Sequence, residues 1–226
     1  MPAPRAIFPL ALLGLLGGCS LFQSDDTPRA PGGERLQGDL RWSGDQLLFR
    51  PCQEQRFFDV TDANNTAILR DAHELAADSG AASLFADLRG KLKSGGRDGA
   101  QGVFAVTDVY RVQYSGPGCS DPNFKRTAMN AGGHGPDWSV QVSNQGMLIS
   151  TAGQQRRALP FVQEELPGGM RALSTEANGE KVELWINPRR CVDGRTGTVQ
   201  SLQAELRING QTWQGCAFYG GAGNPT

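Results

Sequence analysis

Between Asp39 and Val60 short apolar and aromatic runs, Leu47-Leu48-Phe49 and Phe57-Phe58 among them, are separated by the turn signals Ser43-Gly44-Asp45 and Gln53-Glu54-Gln55. That is the pattern of a strand meander. The period then changes: Ile68, Leu69, Ala72, Leu75 and Ala76 recur at helical spacing, with Asn64, Asn65 and Thr66 as cap candidates before them and Gly80 after. One amphipathic helix is predicted there. Alternation returns at Leu84, Ala86, Leu88, Gly90 and Leu92 and, past the soft loop SGGRDGAQG, from Val103 to Val112. Both stretches are predicted strands.

A Gly- and Pro-rich connector, YSGPGCSDPNFKRTAMNAGGHGP, leads into further runs of strand composition at 138–142, 146–150, 157–162, 170–174, 181–186, 201–208 and 211–216. In LQAELRINGQTWQGC the pair Asn209-Gly210 favours a type I′ hairpin turn, whose twist matches that of the strands. The second half shows no helical period. The order of elements predicts a mainly β protein: an N-terminal OB-like barrel with one helix over residues 38–115, a linker over 116–135, and a small antiparallel β-barrel or sandwich domain over 136–219.

The segment GDLRWSGDQLLFRPCQEQRFFDV, followed by the helix, LRGKL and VTDVYRV, resembles the C-terminal OB domain of the NlpE family, outer-membrane lipoproteins linked to copper homeostasis and surface-contact sensing. The resemblance implies a helix-closed barrel and a sensing role. The N-terminal barrel of that family carries a C-x-x-C pair connected with metal and redox sensing, which this chain lacks, so copper sensing is not carried over. A second resemblance rests on GGHGPDWSVQVSNQGMLIS, VELWINPRRCVDG and LQAELRINGQTWQGCA, taken in order. They are similar to a family of small bacterial lipoproteins of unassigned function with the usual pattern G-N-E-P-F-W-x-V, R-C-x-D-G-M-S-D and x-L-x-G-x-x-x-x-G-C. Here His134-Gly135-Pro136-Asp137 stands where N-E-P-F is usual, and Arg195-Thr196-Gly197-Thr198 replaces M-S-D-R. Ligand contacts made by those loops in relatives are therefore expected to be altered.

Ahead of the first strand, Arg5 precedes an apolar stretch from Ile7 to Leu16, shorter than the roughly 20 residues a membrane span needs. It reads as a signal-peptide core over residues 1–18. Leu16-Gly17-Gly18-Cys19 resembles the bacterial lipobox, which implies an acylated Cys19 as mature N-terminus and membrane anchor. Its acyl chains exceed the two signals that stable anchoring takes. Ser20, where Asp would signal inner-membrane retention, implies the periplasmic face of the outer membrane. Residues 19–37, rich in Pro, Gly, Ser and charge, read as a flexible tether.

Of five cysteines, setting aside Cys19 leaves four, an even number in an oxidising compartment. Three pairings are possible; two consecutive domains lead to Cys52–Cys119 and Cys191–Cys216. No pair has C-x-x-C spacing, which speaks against a metal site. The 22 basic and 23 acidic residues nearly cancel, and a nucleic-acid partner would want a basic excess.

His73, beside Glu74 in the predicted helix, reads as a surface or rim histidine. His134, in a Gly-rich loop with Asp137 and Trp138, is the candidate ligand loop. No nucleophile-elbow motif accompanies it. One imidazole with one carboxylate, even joined by Met129, falls short of a metal shell. No catalytic residue, metal ligand or cofactor is therefore predicted. Trp138, Trp185 and Trp213 are expected in the core. The chain is expected to be a non-enzymatic outer-membrane lipoprotein acting as a binding or sensing module in the cell envelope, with an envelope protein or a peptidoglycan-related molecule as partner. The alternative is a periplasmic inhibitor or ligand-binding protein, for example of a peptidoglycan-cleaving enzyme.

Overall fold

The computed structural model describes residues 32–177 and 179–222. The signal segment, Cys19 and the first part of the expected tether lie outside the described residues. Strands β1 (Glu34–Ser43), β2 (Gln46–Pro51), β3 (Phe58–Asp62), β4 (Leu84–Lys93) and β5 (Val103–Gln113), with helix α1 (Ile68–Ser79) between β3 and β4, form the first unit. β1 pairs with β2 and β4, β2 with β3, β3 runs parallel to β5, and β5 returns to β4. This circuit closes an OB-like barrel. Leu40, Phe49, Leu88 and Phe104 fill it, and α1 plugs one end with Ile68, Ala72 and Leu75. Each such Leu or Ile contributes about 2 kcal/mol on burial.

The helix starts differently from expectation. Asp62 at the end of β3, rather than Asn64 or Asn65, gathers the entering chain: its carboxylate accepts from the amides of Thr66 and Ala67, both at 2.9 Å. Burial opposes the charge of Asp62, but these N–H donors outweigh it and hold the carboxyl below its ordinary value. Thr66 accepts only a long 3.4 Å contact from Ile68 N–H. An anionic side chain already fixed by a strand therefore orders the turn that enters the helix, while the N-cap position, Ala67, has no side-chain cap of its own.

The second sheet is antiparallel throughout. It contains β6 (Met129–Gly133), β7 (Trp138–Ser143), β8 (Gly146–Thr151), β9 (Arg157–Leu159), β10 (Val162–Leu166), β11 (Met170–Ala177) and β12 (Glu180–Asn187), with further strands β15 (Leu202–Ile208) and β16 (Gln211–Tyr219). The order is β10-β11-β12-β15-β16-β6-β7-β8-β9. The stretch 157–162, expected as one strand, divides into β9 and β10 at Pro160, which has no N–H to give a ladder. Only Pro160 and Phe161 separate β9 and β10, yet these are the opposite edges of the sheet, so it curls into a half-barrel. Met147, Ile149, Leu173, Leu184 and Leu206 pack its concave side. The predicted Asn209-Gly210 turn is present, with both residues at positive φ.

Several expectations need correction. β1 begins at Glu34, inside the stretch expected as tether, and β6 lies inside the expected linker 116–135, where Gly132 and Gly133 allow close approach of neighbouring strands. Trp138 is buried in the core and Trp213 packs against it, but Trp185 lies on the outer face. The alternation of β12 turns Val182, Leu184 and Ile186 inward and leaves Trp185 beneath the Arg207 guanidinium, 4.8 Å from the ring centre.

β13 (Cys191–Val192) and β14 (Val199–Gln200) cross from the second half to the first sheet, where Val199 and Gln200 pair with Val112 and Arg111 of β5. Val199 is buried with the barrel residues. Next to it, Arg190 grips the buried Asp71 of α1 through two bonds of 2.9 and 2.8 Å. The segment 191–200 thus belongs structurally to the barrel.

The outer side of the barrel also meets the second sheet through a buried polar contact. Arg35 donates to Asp87 at 2.8 and 2.7 Å and, across the junction, to the carbonyls of Tyr219 at 2.6 Å and Gly220 at 2.9 Å. Arg111, 3 % exposed, lies with its guanidinium 4.1 Å from the ring centre of Phe218 and 4.9 Å from that of Phe85. Burial lowers its affinity for the proton, against the pull of Asp87 and Asp121.

Candidate functional site

The hairpin crossing to the barrel positions one side of the site. Its loop, Asp193 to Thr198, is organised by Asp193, whose Oδ1 accepts from the amides of Arg195 at 3.0 Å and Thr196 at 2.8 Å and from the Thr196 hydroxyl at 3.0 Å. The other carboxylate oxygen is left to face outward from the loop. Cys191, bonded to Cys216, ties the base of the hairpin to β16. The β6–β7 turn forms the opposite side, passing through a cis Gly135–Pro136 bond and presenting His134 and Asp137.

These two stretches meet. Asp137 Oδ1 lies 2.9 Å from His134 Nδ1, and Asp193 Oδ2 lies 3.1 Å from His134 Nε2. Arg195 completes the group at 3.1 Å from Asp137. The Nδ1 contact with Asp137 is a hydrogen bond, and the Nε2 contact with Asp193 is a close approach to a carboxylate at ion-pair distance. The hydrogen bond from His134, followed by that from Arg195, holds the Asp137 carboxyl below its ordinary value. For Asp193 burial works the other way, yet the donors of Thr196 and Arg195, with the nearby His134, outweigh it and the net direction is again downward.

The sign of the resulting pH dependence follows. A depressed carboxyl stabilises the fold above its unfolded value near about 4, and that contribution is lost as pH falls through the folded value. Asp193→Asn is expected to melt below the parent near about pH 7, and the gap is expected to close as pH falls below the depressed Asp193 value, where both side chains are uncharged. Parallel thermal melts check this. A gap of unchanged size in acid would show that Asp193 acts through the shape of its turn and not through its charge.

A cleft of about 490 Å³ opens beside the His134–Asp193 contact, walled by Asn130, Trp138, Ser139, Ser150, Gln200 and Phe218. A second cleft, of about 640 Å³, adjoins it and shares Gly133, His134 and Asp193. Both lie within the range of roughly 300–1,000 Å³ usual for small-ligand sites. The expected loop residues His134, Asp137 and Trp138 thus do come together at one wall. Asp193 and Arg195 lie in RCVDGRTG, a loop that suits the inhibitor alternative by its Gly and charged residues, but neither is among the candidate site residues read from the sequence; Arg195 stands in a departure from the usual lipoprotein pattern, whereas Asp193 keeps that pattern's Asp. Met129 is buried in the core and turned away from this role, and His73 stands exposed at the barrel surface, edge-on to Trp42 at 5.7 Å. Among the described residues, no group of three or more His, Cys, Asp or Glu is arranged to hold a metal ion. No described helix is long and apolar enough to cross a membrane.

The four cysteines within the described residues form Cys52–Cys119 and Cys191–Cys216, with Cα atoms 5.3 and 5.5 Å apart. Compared with protein-family models, with curated proteins and with solved structures, the chain gives no match.

Proposed function

We propose that this chain is a non-enzymatic lipoprotein, held at the periplasmic face of the outer membrane by acylated Cys19, whose fused β units act as a binding or sensing module in the cell envelope. The observation that carries the reading is the double cleft at the meeting of the β6–β7 turn and the β13–β14 hairpin, built from residues far apart in sequence and braced by the Cys191–Cys216 disulfide. A loop pair locked in place by a disulfide and a carboxylate–imidazole–carboxylate bridge is a preorganised surface, and preorganisation lowers the entropic cost of binding. The arrangement also supports a non-catalytic role. The imidazole of His134 is hydrogen-bonded to Asp137, and neither Ser139 nor Ser150 of the cleft wall is hydrogen-bonded to it, so no nucleophile stands paired with a base here among the described residues. The resemblance to NlpE motivates the sensing aspect, and the paired disulfides suit an oxidising compartment.

Two measurements test the proposal. Cys19→Ala is expected to lose acyl labelling and membrane fractionation; an unchanged acyl label on that variant would refute the anchor. The fragment from Gly32 onward, which keeps β1 whole, is expected to retain a partner from envelope extract, and the Asp137→Ala/Asp193→Ala form is expected to lose it. Equal retention by both forms would remove the cleft from the function. If the retained partner is a peptidoglycan-cleaving enzyme, the inhibitor alternative replaces the sensing role.

A further inference from the structure

The cleft has a definite chemical bias. Its charges are already spent on one another: Asp137 is paired with His134 and Arg195, and Asp193 with His134 and its own loop amides. A phosphate or sulfate ligand would meet two carboxylates with no unpaired cation to offset them, and a divalent cation would have to break pairs already made. The remaining walls are neutral. Ser139 and Ser150 stand opposite each other on β7 and β8, and neither hydroxyl, nor the amide of Gln200, makes a hydrogen bond to another described side chain or to the described backbone.

An independent observation lies behind them. Trp138, 4 % exposed and part of the cleft wall, has an indole N–H with no hydrogen-bond partner among the described residues. That N–H is out of reach of solvent and lies against Gly133, which also lines the cleft, so the indole reports on the wall from behind without itself meeting a ligand. Phe218 adds an aromatic side chain to the same wall.

We infer that the cleft binds an uncharged oligosaccharide. Hydroxyls, carboxamides and paired carboxylates offer the alternating donors and acceptors that a polyhydroxylated ring requires. The second cleft, continuous with the first across His134 and Asp193 and bordered by Gln203, leaves room for a ligand longer than one sugar. This inference rests on reading the cleft as a binding site.

The test is a titration of the fragment from Gly32 onward, following the Trp138 indole N–H by NMR, with uncharged tetrasaccharides of N-acetylglucosamine, glucose in β-1,4 linkage and glucose in α-1,4 linkage. Heparin and zinc ions serve as charged comparisons. At least one neutral tetrasaccharide is expected to shift the indole signal saturably. Ser139→Phe, at an exposed strand position where the ring projects over the cleft, is expected to weaken that binding by about tenfold or more while leaving the melting temperature unchanged. Silence towards all three saccharides, a response confined to heparin or zinc, or a response unaffected by Ser139→Phe would each overturn the inference. If the saccharides fail while Ser139→Phe still abolishes retention of an envelope partner, the ligand class is wrong and the binding reading stands; if that retention fails as well, both fall.

Discussion

Asp87→Ala is expected to destabilise the protein by about 3–5 kcal/mol, the cost typical of removing one member of a buried charge cluster. Asp87 is fully buried on β4 and accepts two bonds from Arg35 and one of 3.2 Å from Gln37. Arg111 is its partner in register across the β4–β5 ladder and has no carboxylate of its own. Without Asp87 two guanidinium groups would share a junction in which Arg35 keeps carbonyl partners but Arg111 keeps the faces of Phe85 and Phe218 and the pull of Asp121, with no hydrogen bond to it. Water must then enter or the two sheets must separate. Urea unfolding of the variant measures the loss from its midpoint at constant slope. A change below about 1 kcal/mol would show that the arginines are hydrated where they stand. Replacing Arg35, Asp87 and Arg111 together by apolar residues of similar volume is expected to recover much of the loss, because it removes the charges together with their desolvation cost.

Loss of the Cys52–Cys119 bond is expected to cost about 4 kcal/mol in the chain-entropy account, and loss of Cys191–Cys216 about 3.5, because the first closes the longer loop. The separations are 67 and 25 residues. Cys52 follows β2 and its amide donates to Gln37 at 2.8 Å, so one end of the bond is anchored to the barrel. Cys119 lies in the connector leading to β6, and its neighbour Gly118 packs close to the ring of Phe85. Opening this bond frees the connector where the chain passes from one sheet to the other. Guanidinium unfolding of the Cys52→Ser/Cys119→Ser and Cys191→Ser/Cys216→Ser pairs checks both the size and the order of the effects. A larger loss from the second pair would show that strain or contacts at the hairpin, and not loop length, govern the energetics.

Much of the architecture was legible as period. The meander before Val60, the helix from Ile68, the alternating β4 and β5 and the Asn209-Gly210 hairpin are each specified by residues within a few positions of one another. Local rules are enough for these, because side-chain direction depends only on the spacing along a helix or strand. The same alternation misleads at β4: with Leu84, Ala86 and Leu88 turned inward, Asp87 reads as a solvent-facing residue. It is buried because the second sheet covers the outer side of the barrel, a fact held by the distant strand β16, whose Tyr219 carbonyl receives Arg35.

The sequence by itself determined the longer elements and the even cysteine count, whose sequential pairing followed only from two consecutive domains, and it singled out the loop around His134. Only the tertiary structure decided that MNAGG forms a central strand, that residues 191–200 join the first sheet, and that Asp193 and Arg195 complete the site. MNAGG has little β propensity of its own and becomes a strand because β7 and β16 supply hydrogen-bond partners on both sides. The β13–β14 hairpin has only two residues in each strand, too few to carry a period, and is held by Arg190 on Asp71, Val199 in the barrel and the disulfide to β16. Pairing and burial of this kind are energies between distant segments, and no local pattern of polar and apolar positions records them.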